Sequence, residues 1–301
     1  MSNFLLIGIC LLAGWLVKRY TALPKDAHKG INAMVINLAL PAAAFKYLPK
    51  IQWSEALVMP VLMPFVVWFG GWLYITAYAR FAGLDKKTTA GLKLTTGLSN
   101  TSFVGFPLVT AYFGEPLLGI AVICDQVTFM LLSTAGIIVA LNAADGHDLS
   151  LKAVLKKLLG FTPFLATIAA LILPRFIDLS PFDPLFDKLT ATVAPMALFS
   201  IGMQLRFDGW KSELQHISAA LLYKLMIAPA LVLLLAITAG FKGEITAVSV
   251  FESAMPSFIT AGIIASQYQL NAKLSSLVVA VSILVSFLTT ALWYWVIGQW
   301  V

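Results

Sequence analysis

Charged side chains are scarce in this sequence. Asp, Glu, Lys and Arg together make up 11% of 301 residues, against roughly a quarter in a soluble globular chain. No polar stretch is long enough to build a separate soluble domain, so water is excluded as the main solvent. Cysteine is limited to Cys10 and Cys124, both inside apolar runs, which excludes a disulfide framework and a thiolate metal centre. His28, His147 and His216 fall in expected loops without metal-ligand spacing, so they are given no catalytic role and no metal site is expected. The net charge of +6 comes from basic residues scattered beside apolar runs, a topology signal rather than a nucleic-acid surface.

What is abundant is apolar. Hydrophobic residues are 60% of the chain, and mean hydropathy is +0.90. Apolar stretches of roughly 20 residues, the length that crosses about 30 Å of hydrocarbon, recur with short polar breaks. The expected class is therefore an all-α membrane protein in a lipid bilayer. Its ten spans lie near 3–17, 28–46, 55–80, 87–113, 116–143, 151–174, 184–205, 214–240, 243–269 and 273–300. The first run is followed, not preceded, by Lys18 and Arg19 and lacks a small-residue cleavage site, so it reads as a span and not a signal peptide.

Loops after odd-numbered spans carry Lys18, Arg19, Lys25, Lys29, Arg80, Lys86, Lys87, Lys152, Lys156, Lys157, Arg206, Lys211 and Lys273. Loops after even-numbered spans carry only Lys46, Lys50, Arg175, Lys188 and Lys242. The positive-inside rule makes the first set cytoplasmic, so a multi-pass inner-membrane protein with both termini on the non-cytoplasmic side is expected. The aromatic cluster Trp293, Tyr294, Trp295 and Trp300 fits an interfacial belt at the outer face.

Weak internal repeats relate the halves 1–145 and 146–301. Leu40-Pro41-Ala42-Ala43-Ala44-Phe45 parallels Ala194-Pro195-Met196-Ala197-Leu198-Phe199, Trp53-Ser54-Glu55-Ala56-Leu57 parallels Trp210-Lys211-Ser212-Glu213-Leu214, and Ser102-Phe103 parallels Ser257-Phe258. Their offsets are 154, 157 and 155 residues. Five spans per half is an odd number, so the second copy enters the membrane from the opposite side.

Two spans carry polar interruptions in their middles. Span 4 places Ser99, Asn100, Thr101 and Ser102 about 13 residues into an apolar run, roughly 20 Å deep at about 1.5 Å per residue. Span 9 reads Glu252-Ser253-Ala254-Met255-Pro256-Ser257, and Pro256 cannot donate the backbone bond that a continuous helix needs. Irregular backbone at that depth is tolerated only against protein or a water-filled cavity, and paired breaks in corresponding spans point to a transporter's site. Second half-helices beginning near Thr101 or Ser102 and near Ser257 present free N–H groups, which favour an anion. Substrate contacts are accordingly assigned to Ser99, Asn100, Thr101, Ser102, Met255, Pro256 and Ser257.

Asp125, Lys224 and Glu252 lie about nine or ten residues into spans 5, 8 and 9. Charges at such depth cost several kcal/mol and face the interior. A carboxylate with Ser and Asn oxygens forms a hard-cation site suited to sodium, whereas a titratable carboxylate alone suits a proton. Asp125, Glu252, Ser99, Asn100 and Lys224 are therefore the expected ion-coupling set, with Lys224 as counter-ion to a carboxylate or to substrate, or as a purely structural partner. Asn32 and Asn37 are read as helix-packing residues. The rival classes are an anion-conducting channel, with the polar breaks lining a pore, and an intramembrane enzyme using Asp125 and Glu252.

Leu40-Pro41, Ser99-Asn100-Thr101-Ser102-Phe103 with Gly105 and Pro107, Ser200-Ile201-Gly202-Met203, and Ala254-Met255-Pro256 together resemble the auxin efflux carrier family in its compact bacterial form. The resemblance covers essentially the full chain. It implies ten spans in two inverted five-span repeats with crossing broken helices in spans 4 and 9. It further implies a mobile transport domain of spans 3–5 and 8–10 working against a scaffold of spans 1, 2, 6 and 7. Small organic anions as substrate follow from it, with malonate or malate proposed for bacterial relatives, as does a homodimer formed through the scaffold. The long cytoplasmic loop of many plant members is absent, since only about 144–151 separates the halves. A more distant likeness to sodium-coupled bile acid symporters rests on Ser99-Asn100 and on Glu252 with Met255, positions that are sodium ligands in that relative. Pro256 and Ser257 depart from that pattern.

Overall fold

In the computed structural model, residues 2–24, 26–52, 54–144, 160–205 and 209–300 are described. Among them the chain is helical, with no strand beyond one isolated bridge. Six helices are long and apolar enough to cross a membrane by length and composition: α1 (Ser2–Tyr20), α2 (Ala27–Lys50), α3 (Glu55–Ala82), α6 (Glu115–Ala143), α10 (Trp210–Ala239) and α13 (Ala272–Trp300). The remaining apolar segments are shorter or interrupted. They are α4 (Lys86–Gly97) with α5 (Phe106–Tyr112), α7 (Thr162–Arg175), α8 (Asp183–Ala191) with α9 (Val193–Gln204), and α11 (Glu244–Ser253) with α12 (Ile259–Gln267). The start of the expected sixth span and the 145/146 repeat boundary lie outside the described residues.

The distribution of polarity is that of a protein solvated by lipid. Leu5, Ile9, Phe69, Leu73 and Leu288 are each more than half exposed, while Thr95, Thr96, Ser249, Ser253, Lys224 and Glu252 are fully buried. A water-soluble fold places these classes the other way round.

The chain separates into two compact units, each drawn from both halves of the sequence. The first comprises Met1–Ser54, Ser102–Val122 and Leu159–Leu205. Its tightest contact is between α1 and α9, where a Cβ built on Gly14 would lie 2.0 Å from Phe199 O and one on Gly202 would lie 2.2 Å from Leu11 O. Only glycine permits this backbone approach. Asn32 accepts a hydrogen bond from Ser200, and Thr162 Oγ1 donates to Asn37 Oδ1 at 2.7 Å, so both asparagines do join helices. At one end Lys46 bridges Glu115 and, at 2.8 Å, Asp187, and Tyr47 donates to Glu115 at 2.8 Å.

The second unit comprises Glu55–Thr101, Ile123–Leu158 and Arg206–Val301. Tyr223 donates its hydroxyl proton to Val67 O and Trp293 its indole N–H to Leu225 O, both at 2.8 Å. A Cβ on Gly91 would lie 2.2 Å from Leu270 O, which presses α4 against the loop preceding α13. His28 and His216, read as loop residues at the edges of the spans expected at 28–46 and 214–240, stand in helices α2 and α10. The ring of His216 shares a 2.8 Å hydrogen bond with Tyr78, which ties α10 to α3.

Asp85 caps α4: its carboxylate accepts the amides of Lys87 at 2.9 Å and Thr88 at 3.0 Å. The Thr88 hydroxyl and then its amide hold the Asp85 carboxyl below its usual range. A depressed folded value means the stabilisation is complete above the unfolded value of about 3.9 and fades as pH falls through the folded one. Asp85→Ala is expected to cost about 1 kcal/mol at neutral pH, and that difference from wild type should shrink progressively in thermal melts as pH falls below about 3.9.

Candidate functional site

The site is built where α4 and α11 stop. Helix α4 ends at Gly97, and Leu98 adopts extended backbone at φ −128°, ψ 131°. Helix α11 ends at Ser253, the residues Ala254–Phe258 form no helix, and Phe258 is extended at φ −68°, ψ 124° before α12 begins. The two interruptions pair with each other as antiparallel backbone. Asn100 N–H donates to Pro256 O at 2.8 Å, Phe258 N–H donates to Leu98 O at 3.0 Å, and Ser99 faces Ser257 across this bridge. Four backbone groups that lost helical partners are thereby satisfied without water. Pro256 serves as an acceptor, the one backbone role left to it.

Beyond the pairing, residues 101–105 wind into a π-helical turn before α5. On the other strand, Ser257 N–H donates to Ser282 Oγ of α13 at 3.1 Å. The helix after the second break therefore starts at Ile259, two residues later than expected, because Ser257 and Phe258 are committed to the bridge and to Ser282.

Ionisable groups surround this pairing. Thr101 Oγ1 donates to Asp125 Oδ1 at 2.8 Å, placing the α6 carboxylate beside the first break. Lys224 lies in a π-helical turn, Tyr223–Ile227, and its Nζ donates to Ser253 O at 2.8 Å. The ammonium thus caps the carbonyl end of α11 at the second break, where the helix dipole is negative. Glu252 is fully buried within electrostatic reach of Asp125 and Lys224, and neither of its carboxylate oxygens has a hydrogen-bond partner among the described residues. Ser99 Oγ, Ser257 Oγ and Gln126 Oε1 are buried and unpartnered in the same way. Orphaned polar atoms at this density are costly, and each is satisfied by a water, an ion or a substrate group.

Most residues expected from sequence are gathered here: Ser99, Asn100, Thr101, Asp125, Lys224, Glu252, Met255, Pro256 and Ser257 all belong to the second unit and are buried. Ser102 is also buried but is the first residue of a segment that packs with the other unit. Ser282 escaped the sequence reading. Its signal was present in the buried hydroxyls of Ser275, Ser282, Ser286 and Thr290, whose spacing puts them on one face of α13. Among the described residues no three His, Cys, Asp or Glu side chains form a metal-binding group.

Residues 1–294 match the family model described as Membrane transport protein. An uncharacterized transporter of Methanocaldococcus jannaschii is 27% identical over 306 residues, covering 99% of this chain and 98% of the relative. The uncharacterized transporter YfdV of Escherichia coli is 23% identical over 314 residues, covering 98% and 97%. A Rhizobium meliloti protein named "Putative malonate transporter" is 25% identical over 295 residues, covering 93% and 90%.

Proposed function

This chain belongs to the membrane transport protein family, the auxin efflux carrier family, and from that premise we propose that it is a secondary active transporter of small organic anions, mono- or dicarboxylates, working by alternating access. The observation that carries the proposal is the mutual pairing of Leu98–Asn100 with Pro256–Phe258. Paired interruptions at one depth are the arrangement in which transporters of repeated topology hold substrate. The family and its relatives are transporters, and the relative whose name carries malonate supplies the substrate class.

In this reading the chain has ten spans in two inverted five-span repeats. The first compact unit, which groups spans 1, 2 and 7 and the described part of span 6 with Ser102–Val122 from spans 4 and 5, contains the scaffold through which a homodimer forms, and the second is the main part of the transport body. Support comes from Pro41 and Pro195, the paired prolines of the repeat, both lying in the first unit. The protein sits in the inner membrane with both termini outside the cytoplasm, as the Lys and Arg asymmetry of the loops requires.

The anion is held by the amide-bearing segments after the breaks and the hydroxyls of Ser99 and Ser257. The coupling cation, sodium or a proton, is held by Glu252 and the oxygens beside it. Glu252, Asp125, Ser99 and Asn100 each offer a hard oxygen acceptor, which suits sodium, and the unpartnered Glu252 oxygens fit such a role. Lys224, already bound to Ser253 O, lies within electrostatic reach of Glu252 and balances part of the negative charge there.

Counterflow into vesicles loaded with the purified full chain tests this. Labelled malonate is expected to accumulate saturably and at least tenfold faster than neutral malonamide, driven by an inward sodium or proton gradient. Equal rates for the neutral compound would defeat the anion assignment, and single-channel currents in place of saturable counterflow would indicate a pore.

A further inference from the structure

A second polar feature lies in the transport body away from the paired breaks. The first two turns of α4 face the middle of α3 and the end of α6, leaving a groove of about 250 Å³ lined by Trp72, Lys86, Thr89, Lys93, Val139 and Asn142. This is head-group scale, below the size of a pocket for a whole drug-like molecule, about 300 Å³ upwards.

Among the described residues the groove is cationic and uncompensated. Lys93 Nζ stands 4.6 Å from the centroid of the Trp72 ring, an arrangement in which the aromatic face takes the place of a carboxylate. Arg80 is near enough to Lys93 for their charges to repel. Among the described residues none of Lys86, Lys93 and Arg80 has an acidic partner within 4.0 Å. Asp85 is the nearest acid in sequence, and its carboxylate is occupied by the α4 cap. Thr89 directs its hydroxyl proton to Asp85 O at 2.8 Å, so the donors left for a ligand are the two ammonium groups and the Asn142 amide.

The outer lip is apolar. Trp72 is 41% exposed, and its neighbours on α3, Phe69 and Leu73, are 58% and 63% exposed, with Ile138 of α6 at 41%. Phe69, Trp72 and Leu73 share one face by helical spacing. An anion alone has no use for that lip, whereas an amphiphile does.

We propose that this groove binds the phosphodiester head group of an anionic membrane lipid, with Lys86 and Lys93 on the phosphate, Asn142 on the polar head, and the acyl chains along Phe69, Leu73 and Ile138. Lys86, at the start of α4, belongs to the basic loops that face the anionic cytoplasmic leaflet in the orientation given above. The site is separate from the substrate residues, so it stands or falls independently of the transported anion.

The test is a binding titration of the purified full-length protein in neutral detergent, read by thermal shift. The probes are dioctanoyl phosphatidylglycerol, dioctanoyl phosphatidylcholine and inorganic phosphate. Phosphatidylglycerol is expected to raise the melting temperature at concentrations where the other two do not. Each lysine near a lipid surface contributes about a factor of five, so Lys86→Gln with Lys93→Gln should weaken binding about 30-fold, while Lys93→Arg keeps it. Should the double variant fail to give a cooperative melt, the exposed single change Lys86→Gln still predicts about a fivefold loss. Equal shifts with phosphatidylcholine, the same shift with inorganic phosphate, or unchanged binding in the lysine variants would each overturn the proposal.

Discussion

Glu252→Gln is expected to lower gradient-driven anion uptake by about two orders of magnitude while leaving the protein folded. Glutamine keeps the shape and one carbonyl oxygen of the side chain but removes the charge that a coupling cation needs. Breaking one side of a buried ionic contact typically costs about 3–5 kcal/mol, which is roughly a factor of 10² to several 10³ in cation affinity. The apo protein should be less affected, because the wild-type carboxylate is itself unpartnered: both its oxygens are buried without hydrogen bonds. Neutralising a buried carboxylate without hydrogen bonds relieves a desolvation cost that offsets the lost attraction to Lys224, so the melting temperature without ligand should change little. Adding sodium should raise it in the wild type and not in the variant. Vesicle assays with sodium and pH gradients imposed separately then identify the ion. Uptake that keeps its wild-type sodium and pH dependence in Glu252→Gln would remove this residue from coupling.

Hydropathy alone located the apolar segments well, because lipid requires some 20 apolar residues per crossing whatever the tertiary arrangement. The expected runs at 55–80, 116–143, 214–240 and 273–300 reappear as α3, α6, α10 and α13 with ends shifted by a few residues. The interruptions at 99–102 and 254–257 were legible for the same reason, since polar residues and proline are expensive in hydrocarbon. Their pairing was not. That Leu98 and Asn100 bond Phe258 and Pro256 is a contact between residues more than 150 apart in sequence, and nothing local encodes it. Lys224 illustrates the same boundary. Its depth marked it as unusual, but a buried ammonium is satisfied as well by a carbonyl at a helix end as by an acid, and the structure supplies Ser253 O. His28 and His216 were read as loop residues because each is polar and near a border, although both lie at the edges of the spans expected at 28–46 and 214–240 and stand in helices that continue into apolar sequence; His147 lies outside the described residues.

The Ser200-Ile201-Gly202-Met203 motif carried the family resemblance without a physical reason until the packing of α1 and α9 supplied one. Gly14 and Gly202 meet across this crossing, and the atoms that an added Cβ would strike are backbone: Phe199 O at 2.0 Å and Leu11 O at 2.2 Å. A flexible side chain could swing aside, but a helix backbone cannot move without separating the two helices along their contact. Gly202→Leu is therefore expected to destabilise the first unit by about 3 kcal/mol or more, at the upper end of overpacking costs, and to remove most of the monodisperse protein from a size-exclusion profile. The control lies in the facing helix: a Cβ on Gly8 of α1 meets nothing within 4 Å, so Gly8→Leu, facing lipid, should leave yield and melting temperature nearly unchanged. Helix propensity improves equally in both substitutions, so only the crossing distinguishes them. A Gly202→Leu protein that purifies and melts like Gly8→Leu would mean that α1 and α9 do not approach this closely in the membrane.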